Sequence, residues 1–231
     1  MSLEPLRYDP PLEPRLIVIH EDRDMVVVNK PSGLLSVPGR TPELFDSVLS
    51  RVRETHPTAQ AVHRLDLGTS GVLVVATRRK AEAVLRQQFQ DRLTRKLYLA
   101  RVRGVMREDS GQVDLPLICD WPNRPRQMVC RTTGKPALTD YLVLERIAES
   151  TFVLLRPHTG RSHQLRVHMA SLGHPILGDN LYGEADPAER LLLHASQLGL
   201  YHPYSGEWIT FHAPCDFALH IAPMELWPSE P

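Results

Sequence analysis

The chain is short of several things that would point to particular functions. It has no run of about 18 or more apolar residues, so no segment reads as a membrane-spanning helix. Met1-Ser2-Leu3-Glu4-Pro5 offers neither a basic start nor an apolar stretch, which excludes a secretory leader in this segment. Cysteine is scarce: Cys119, Cys130 and Cys215 are odd in number and widely spaced, fitting neither a disulfide framework nor a CxxC knuckle. A reducing, cytoplasmic setting is expected. Lysine is also scarce, at 4 of the 27 basic residues, the other 23 being arginine. No GxGxxG, GxxxxGK[ST], GxSxG or HExxH pattern occurs, so nucleotide cofactors, serine hydrolysis and zinc proteolysis have no textual support.

Net charge is absent overall, yet it is unevenly distributed. Residues 1–50 carry a net of −3, residues 51–135 a net of +9, and residues 136–231 a net of −6. A local site for a polyanion produces such asymmetry. Guanidinium groups suit it, because they fork onto phosphates and stack on bases; codon usage in a GC-rich genome is the bland alternative for the arginine excess.

With 231 residues and 42% hydrophobic content, the chain is long enough for a real core. A proline-rich arm over 1–14 should be extended. Leu16–Ile19 and Met25–Val28 read as short strands joined by an acidic turn. Leu44, Val48 and Val52 at spacing four predict a helix over 43–55. Val72–Ala76 reads as an apolar strand and Arg78–Leu93 as a helix. In a strand over 97–102, Leu97 and Leu99 share one face, and Tyr98, Ala100 and Val102 the other. Residues 103–136 read as loop-rich. Strands follow over 139–147 and 152–156, then a helix over 161–172 ended by Gly173, then strands over 191–200 and 207–212. This pattern predicts an α+β fold with a mostly antiparallel sheet. The expected organisation is the arm at 1–14, one domain at 15–216, and a loosely ordered tail at 217–231.

Two polar constellations could carry chemistry. His63-Arg64-Leu65-Asp66-Leu67-Gly68-Thr69-Ser70-Gly71 precedes the apolar strand, so Asp66 stands on a loop that a sheet holds in place. On the spacing alone, a turn-capping role for Asp66 leading into Gly68 and Thr69 is the favoured reading. Pro157–His168 holds Arg161, Arg166 and three histidines, His158, His163 and His168. His163 and His168 are five apart with no glutamate between them, which disfavours a metal hydrolase.

His63–Gly71 resembles the HRLDxxTSG signature of the RluA family of RNA pseudouridine synthases. Asn29–Gly39, Lys96–Gly104 and His158–Met169 resemble three further family motifs in order. The resemblance implies a pseudouridine synthase fold: a mixed, largely antiparallel sheet in two halves, with flanking helices and a central RNA-binding cleft. It implies a cofactor-free, metal-free isomerase (an intramolecular transferase), since nothing is oxidised and no group is gained. By resemblance, Asp66 is the catalytic carboxylate, Tyr98 stacks on the target base, and Arg166 pairs with Asp66. Val167 resembles an apolar residue on the far side of the uracil, and Arg64 the side chain that enters the RNA stack when the uridine flips. His63, Arg161, Arg124 and Arg126 are further expected substrate contacts, while Lys30 and Pro31 resemble structural support. Asp114–Pro125 resembles the members that act on two RNAs, which implies uridine 32 of the tRNA anticodon loop and uridine 746 of 23S rRNA as targets. Motif one begins by residue 29, so no N-terminal S4 RNA-binding domain is expected. The expected partners are tRNA and 23S rRNA stem-loops, with no membrane and no obligate protein partner, and the expected state is a monomer. A non-catalytic RNA-binding module of the same fold is the alternative.

Overall fold

The computed structural model describes residues 8–183 and 188–220. Twelve strands and three α-helices follow the chain order. β1 (Ile17–Glu21) and β2 (Met25–Lys30) are joined by the acidic turn, and α1 (Val48–Val52) follows a 3-10 turn at Pro42–Leu44. β3 (Gln60–Ala61) and β4 (Ser70–Ala76) lead into α2 (Arg79–Gln90) and β5 (Arg95–Arg103). Then come β6 (Ser110–Asp114), β7 (Leu117–Cys119), β8 (Gln127–Val129), β9 (Leu138–Ile147) and β10 (Ser150–Pro157). The chain continues through α3 (Gln164–Ser171), β11 (Leu193–Tyr201) and β12 (Trp208–His212).

Ten strands form one sheet in the order β1-β2-β4-β11-β5-β10-β9-β6, with β12 beside β11 and β3 beside β4; β7 and β8 pair separately. The sheet is mixed because of a single seam. β11 runs parallel to β4 at His194↔Ser70 and Ala195↔Gly71, and every other pairing among the described strands is antiparallel. Gly71 makes the seam possible. Its φ is +109°, and a Cβ there would lie 2.2 Å from the Ala195 carbonyl oxygen. No larger residue fits that approach. The seam divides the sheet into the two expected halves.

Both faces of the sheet are covered, which matches the unbroken apolar run Val72–Ala76 of β4. Val72, Val74 and Ala76 pack with Ala81 and Leu85 of α2. Leu73 and Val75 pack with Val48, Leu49 and Val52 of α1 on the opposite face. In the other half, Ala100, Val102, Val153 and Leu155 pack with Leu165 and Met169 of α3. Leu97, Leu99, Phe152 and Leu154 face away from them. The two-faced reading of β5 therefore holds, and Tyr98 touches both the α1-side and the α3-side clusters.

Several expectations need correction. The helix over 43–55 is one turn of α-helix with a 3-10 turn before it. Ser47 is extended at φ −167° and caps α1 through a box with Ser50, so the apolar spacing spans a break. The stretch 103–136 is not all loop: β6 extends the main sheet, and β7 and β8 form a small hairpin. α3 starts at Gln164 rather than 161. The tail was expected to be loose from residue 217, yet Ala218 is buried and Phe217 packs against the same cluster; 221–231 lie outside the described residues. In the arm, Tyr8 donates to the Asp46 carbonyl, and the Pro11 carbonyl accepts from Arg51.

Candidate active site

A cavity of about 1250 Å³ opens on the Tyr98 face of the sheet, between the parts covered by α1 and α3. Among the described residues, its wall carries seven arginine and lysine side chains and a single carboxylate, Asp66.

Asp66 is held through its backbone. Ser36 Oγ donates to the Leu65 carbonyl and accepts from the Leu65 amide, at 2.8 and 3.0 Å. Ser32 Oγ donates to the Gly68 carbonyl at 2.7 Å, and the Gly33 amide to the Leu67 carbonyl at 3.0 Å. Lys30 is fully buried, and its ammonium donates to the carbonyls of Pro31, Leu34 and Leu67. Burial pushes its pKa down to about 7, opposed by Asp66. Three acceptors match the three donors of an ammonium, so the nest fits the cation. The segment 30–36 thus buckles the Asp66 loop to the sheet, a structural role for Lys30.

Arg166 lies on α3 with only 7% of its side chain exposed. Its pairing differs from the expectation. Nε and Nη2 each donate to Asp179 at 2.7 Å, and only Nη1 turns to Asp66 Oδ2, at 3.4 Å. Asp179 has no exposed side-chain surface and also accepts from the amides of Leu181 and Tyr182. Burial alone would raise its pKa, but the Arg166 guanidinium and these donors bring it below the usual range. Burial works against the charge on Arg166, and the bond and charge of Asp179, with Asp66 behind it, outweigh that and raise its pKa. The Tyr182 ring lies 5.1 Å beneath the guanidinium.

Tyr98 lines the cavity from β5. Burial, and secondarily the charge of Asp66, raise its phenol well above the ordinary value, so the hydroxyl keeps its proton. His63 stacks on Phe89 at 4.3 Å, and its Nε2 accepts from the Val74 amide. Burial, reinforced by Lys96, lowers its pKa to about 3, so the ring is neutral. It lines the cavity, yet this nitrogen is engaged within the protein. Arg64 is exposed at the mouth, with no protein hydrogen bond or ion pair among the described residues. Arg124 lines the cavity and stacks over the exposed Trp121 at 4.8 Å. Arg161 lines it while donating to the Pro136 carbonyl.

Two expected contacts fall elsewhere. Val167 is buried with Leu117, Ala137 and Val129, away from the cavity. A helix turns about 100° per residue, so Leu165 is the apolar α3 residue that faces the cavity. Arg126 lies outside the lining, with its guanidinium over the Tyr182 ring at 5.5 Å. The three histidines of the second constellation diverge. His158 bonds Asp140, His163 bonds Tyr182, and His168 bonds Thr139 and the Leu115 carbonyl. Sequence reasoning missed Asp179, Tyr182 and Lys96. Lys96 lines the cavity, with burial and Arg92 lowering its pKa to about 8. The Gly178-Asp179 turn, with Gly178 at φ +74°, was the one signal available for Asp179.

The chain is similar to known proteins over most of its length. Residues 24–171 match the family model described as RNA pseudouridylate synthase. The chain is 56% identical to the dual-specificity RNA pseudouridine synthase RluA of Escherichia coli strain K12, over 91% of this chain and 98% of that protein. It is 53% identical to the protein of the same name from Vibrio cholerae, over 91% and 87% of the two chains. Among solved structures, human RNA pseudouridylate synthase domain containing 1 superposes with a TM-score of 0.73 at 33% identity, covering 86% of this chain and 83% of that one. The matched span contains Asp66, Tyr98 and Arg166, and the chain belongs to the RluA family of RNA pseudouridine synthases.

Proposed function

We propose that the protein converts uridine to pseudouridine in stem-loop RNA, at uridine 32 of tRNA anticodon loops and uridine 746 of 23S rRNA, within the cytoplasm. The dual-specificity name of the relatives supports two RNA targets, and the resemblance of Asp114–Pro125 supports these positions. One observation carries the chemistry: a cavity walled by basic side chains presents one carboxylate, Asp66, beside a protonated phenol and a buried guanidinium.

The reaction breaks the C1′–N1 bond and forms a C1′–C5 bond; C5 loses a proton and N1 gains one. A single carboxylate can drive it by attack at C1′, by addition at C6, or by removing the C2′ proton. Phosphates meet the basic wall, and the target base must leave the stack to reach Asp66. Flipping costs a few kcal/mol, least in an unpaired loop, which favours stem-loops as substrates. The free guanidinium of Arg64 at the mouth suits it to hold the vacated stack. Arg166, anchored by Asp179, sets the charge beside Asp66, and Tyr98 supplies an aromatic face to the uracil, with Leu165 also lining the cavity.

Asp66→Asn tests the reading. The amide is nearly isosteric but serves neither as nucleophile nor as base. Tritium release from stem-loop RNA carrying 5-tritiated uridine should fall below detection, while RNA binding persists through backbone contacts. Turnover within about tenfold of the wild type would remove Asp66 from the chemistry.

A further inference from the structure

A second donor is aimed at the catalytic carboxylate. His163 is the residue before α3, with φ +54°, in the left-handed region. A non-glycine residue held there is strained and persists only where its surroundings fix it. The imidazole faces two groups. Nδ1 lies 2.7 Å from the Tyr182 hydroxyl, and Nε2 lies 3.9 Å from Asp66 Oδ2.

Tyr182 decides which nitrogen carries the proton. The Gln127 amide donates to the Tyr182 oxygen at 2.7 Å. Among the described residues, His163 Nδ1 is the one acceptor left for the hydroxyl's own proton. Nδ1 therefore accepts, and the neutral ring carries its hydrogen on Nε2, toward Asp66. Arg166 Nη1 approaches the same oxygen, Oδ2, at 3.4 Å. Two donors thus converge on Oδ2, and Oδ1 takes no protein hydrogen bond among the described residues. Both approaches are longer than ordinary hydrogen bonds, as such contacts often are before substrate enters.

We propose that His163 is a positioning residue: its Nε2–H, with the tautomer set by Tyr182, steadies Asp66 Oδ2 so that Oδ1 is presented to the uridine. The inference rests on the isomerisation proposed above. A neutral donor does this without adding a second cation beside Arg166. The titratable and charged groups facing the ring are Asp66, Arg166, Asp179 and Tyr182. Burial lowers its pKa, Asp66 opposes this, Arg166 adds to it, and Asp179 opposes it; the result is a neutral ring at pH 7.

Three variants test the proposal. Asparagine tolerates a left-handed backbone, so His163→Asn keeps the conformation and a polar atom near Tyr182, but is too short to reach Oδ2. Its kcat should fall at least about tenfold, with KM and melting temperature close to those of the wild type. His163→Gln returns an N–H at the reach of Nε2 and should recover part of that loss. Tyr182→Phe frees Nδ1 to carry the ring's hydrogen, so Nε2 can lose the N–H it turns toward Asp66, and kcat should fall with KM close to that of the wild type. A merely structural His163 would lower the melting temperature and leave kcat of the folded variants close to that of the wild type. Either that pattern, or a kcat in His163→Asn within about twofold of the wild type, overturns the proposal. If His163→Asn fails to fold, kcat of Tyr182→Phe decides alone, and a value within about twofold of the wild type overturns the proposal. Turnover by Asp66→Asn, in contrast, would overturn the reading of the site itself, whatever the His163 variants do.

Discussion

Asp179, not Asp66, is the principal partner of Arg166: two hydrogen bonds of 2.7 Å join it to the guanidinium, against one approach of 3.4 Å from Asp66. The buried pair leaves one edge of the guanidinium turned to the cavity. Asp66 can therefore receive a positive charge without being locked to it.

The first prediction follows from that division. Removing one member of a buried pair leaves the other charge uncompensated, at about 3–5 kcal/mol. Asp179→Ala should lower stability by that order, measured by denaturant unfolding, and should cripple turnover although residue 179 is walled off from the RNA. Arg166→Met, which leaves Asp179 with two backbone donors, should also destabilise. An Asp179→Ala variant of wild-type stability would place the pair's weight elsewhere.

Arg64 and Arg166 should fail differently. Arg166→Ala is expected to impair turnover on every substrate, including one whose target base is already unstacked. Arg64 has no protein hydrogen bond or ion pair among the described residues, and its loss should cost at most the few kcal/mol of flipping. Single-turnover rates on a structured and a loosened stem-loop check this. The Arg64→Ala defect should shrink on the loosened RNA, and the Arg166→Ala defect should not. Equal losses on both RNAs for both variants would refute the distinction.

Arg124 and Arg126 are separated by the structure, and their variants should separate too. Arg124 lines the cavity, whereas Arg126 lies over Tyr182. Arg124→Gln should weaken stem-loop binding and make its dependence on salt shallower by about one phosphate contact. Arg126→Gln should change the salt slope less. Filter binding across a salt series reads both, and the reverse order would move the RNA path off the cavity.

The neutral burial of His63 sets a stability window. The ordinary pKa is 6.5 and the folded value about 3. Below pH 6.5 the unfolded chain takes a proton that the folded chain refuses until about pH 3. Stability from this group is therefore complete above pH 6.5 and is lost as pH falls toward 3. His63→Gln keeps an acceptor for the Val74 amide but does not titrate. Its unfolding free energy should fall less steeply between pH 6.5 and 4 than that of the wild type; parallel curves would contradict the assignment.

Local pattern made much of the architecture legible. Val72–Ala76 read as a strand because its apolar run is short and rich in branched side chains, and the structure covers both of its faces. The alternation in β5 put Tyr98 on the face opposite Leu97 and Leu99. Asp66 stood out because it lies on a loop feeding such a strand. The helix expected over 43–55 failed because spacing alone does not see Ser47 turning out to cap α1. The strands within 103–136 were hidden because they are short, and β6 runs Ser-Gly-Gln-Val-Asp with one buried side chain.

The sequence by itself determined the fold class, the faces of the long strands and, through its four motifs, the carboxylate proposed to react. Those features depend on neighbours a few residues apart, where period and residue type are sufficient. Tertiary structure alone decided the wiring of the site. Asp179 reaches Arg166 across 13 positions, Arg166 reaches Asp66 across 100, and Tyr182 sets the proton of His163. It also turned Leu165 rather than Val167 toward the cavity. Such pairings depend on which loops the assembled sheet brings into contact and on the depth at which a charge is buried. Neither quantity is written in the spacing of residues along the chain.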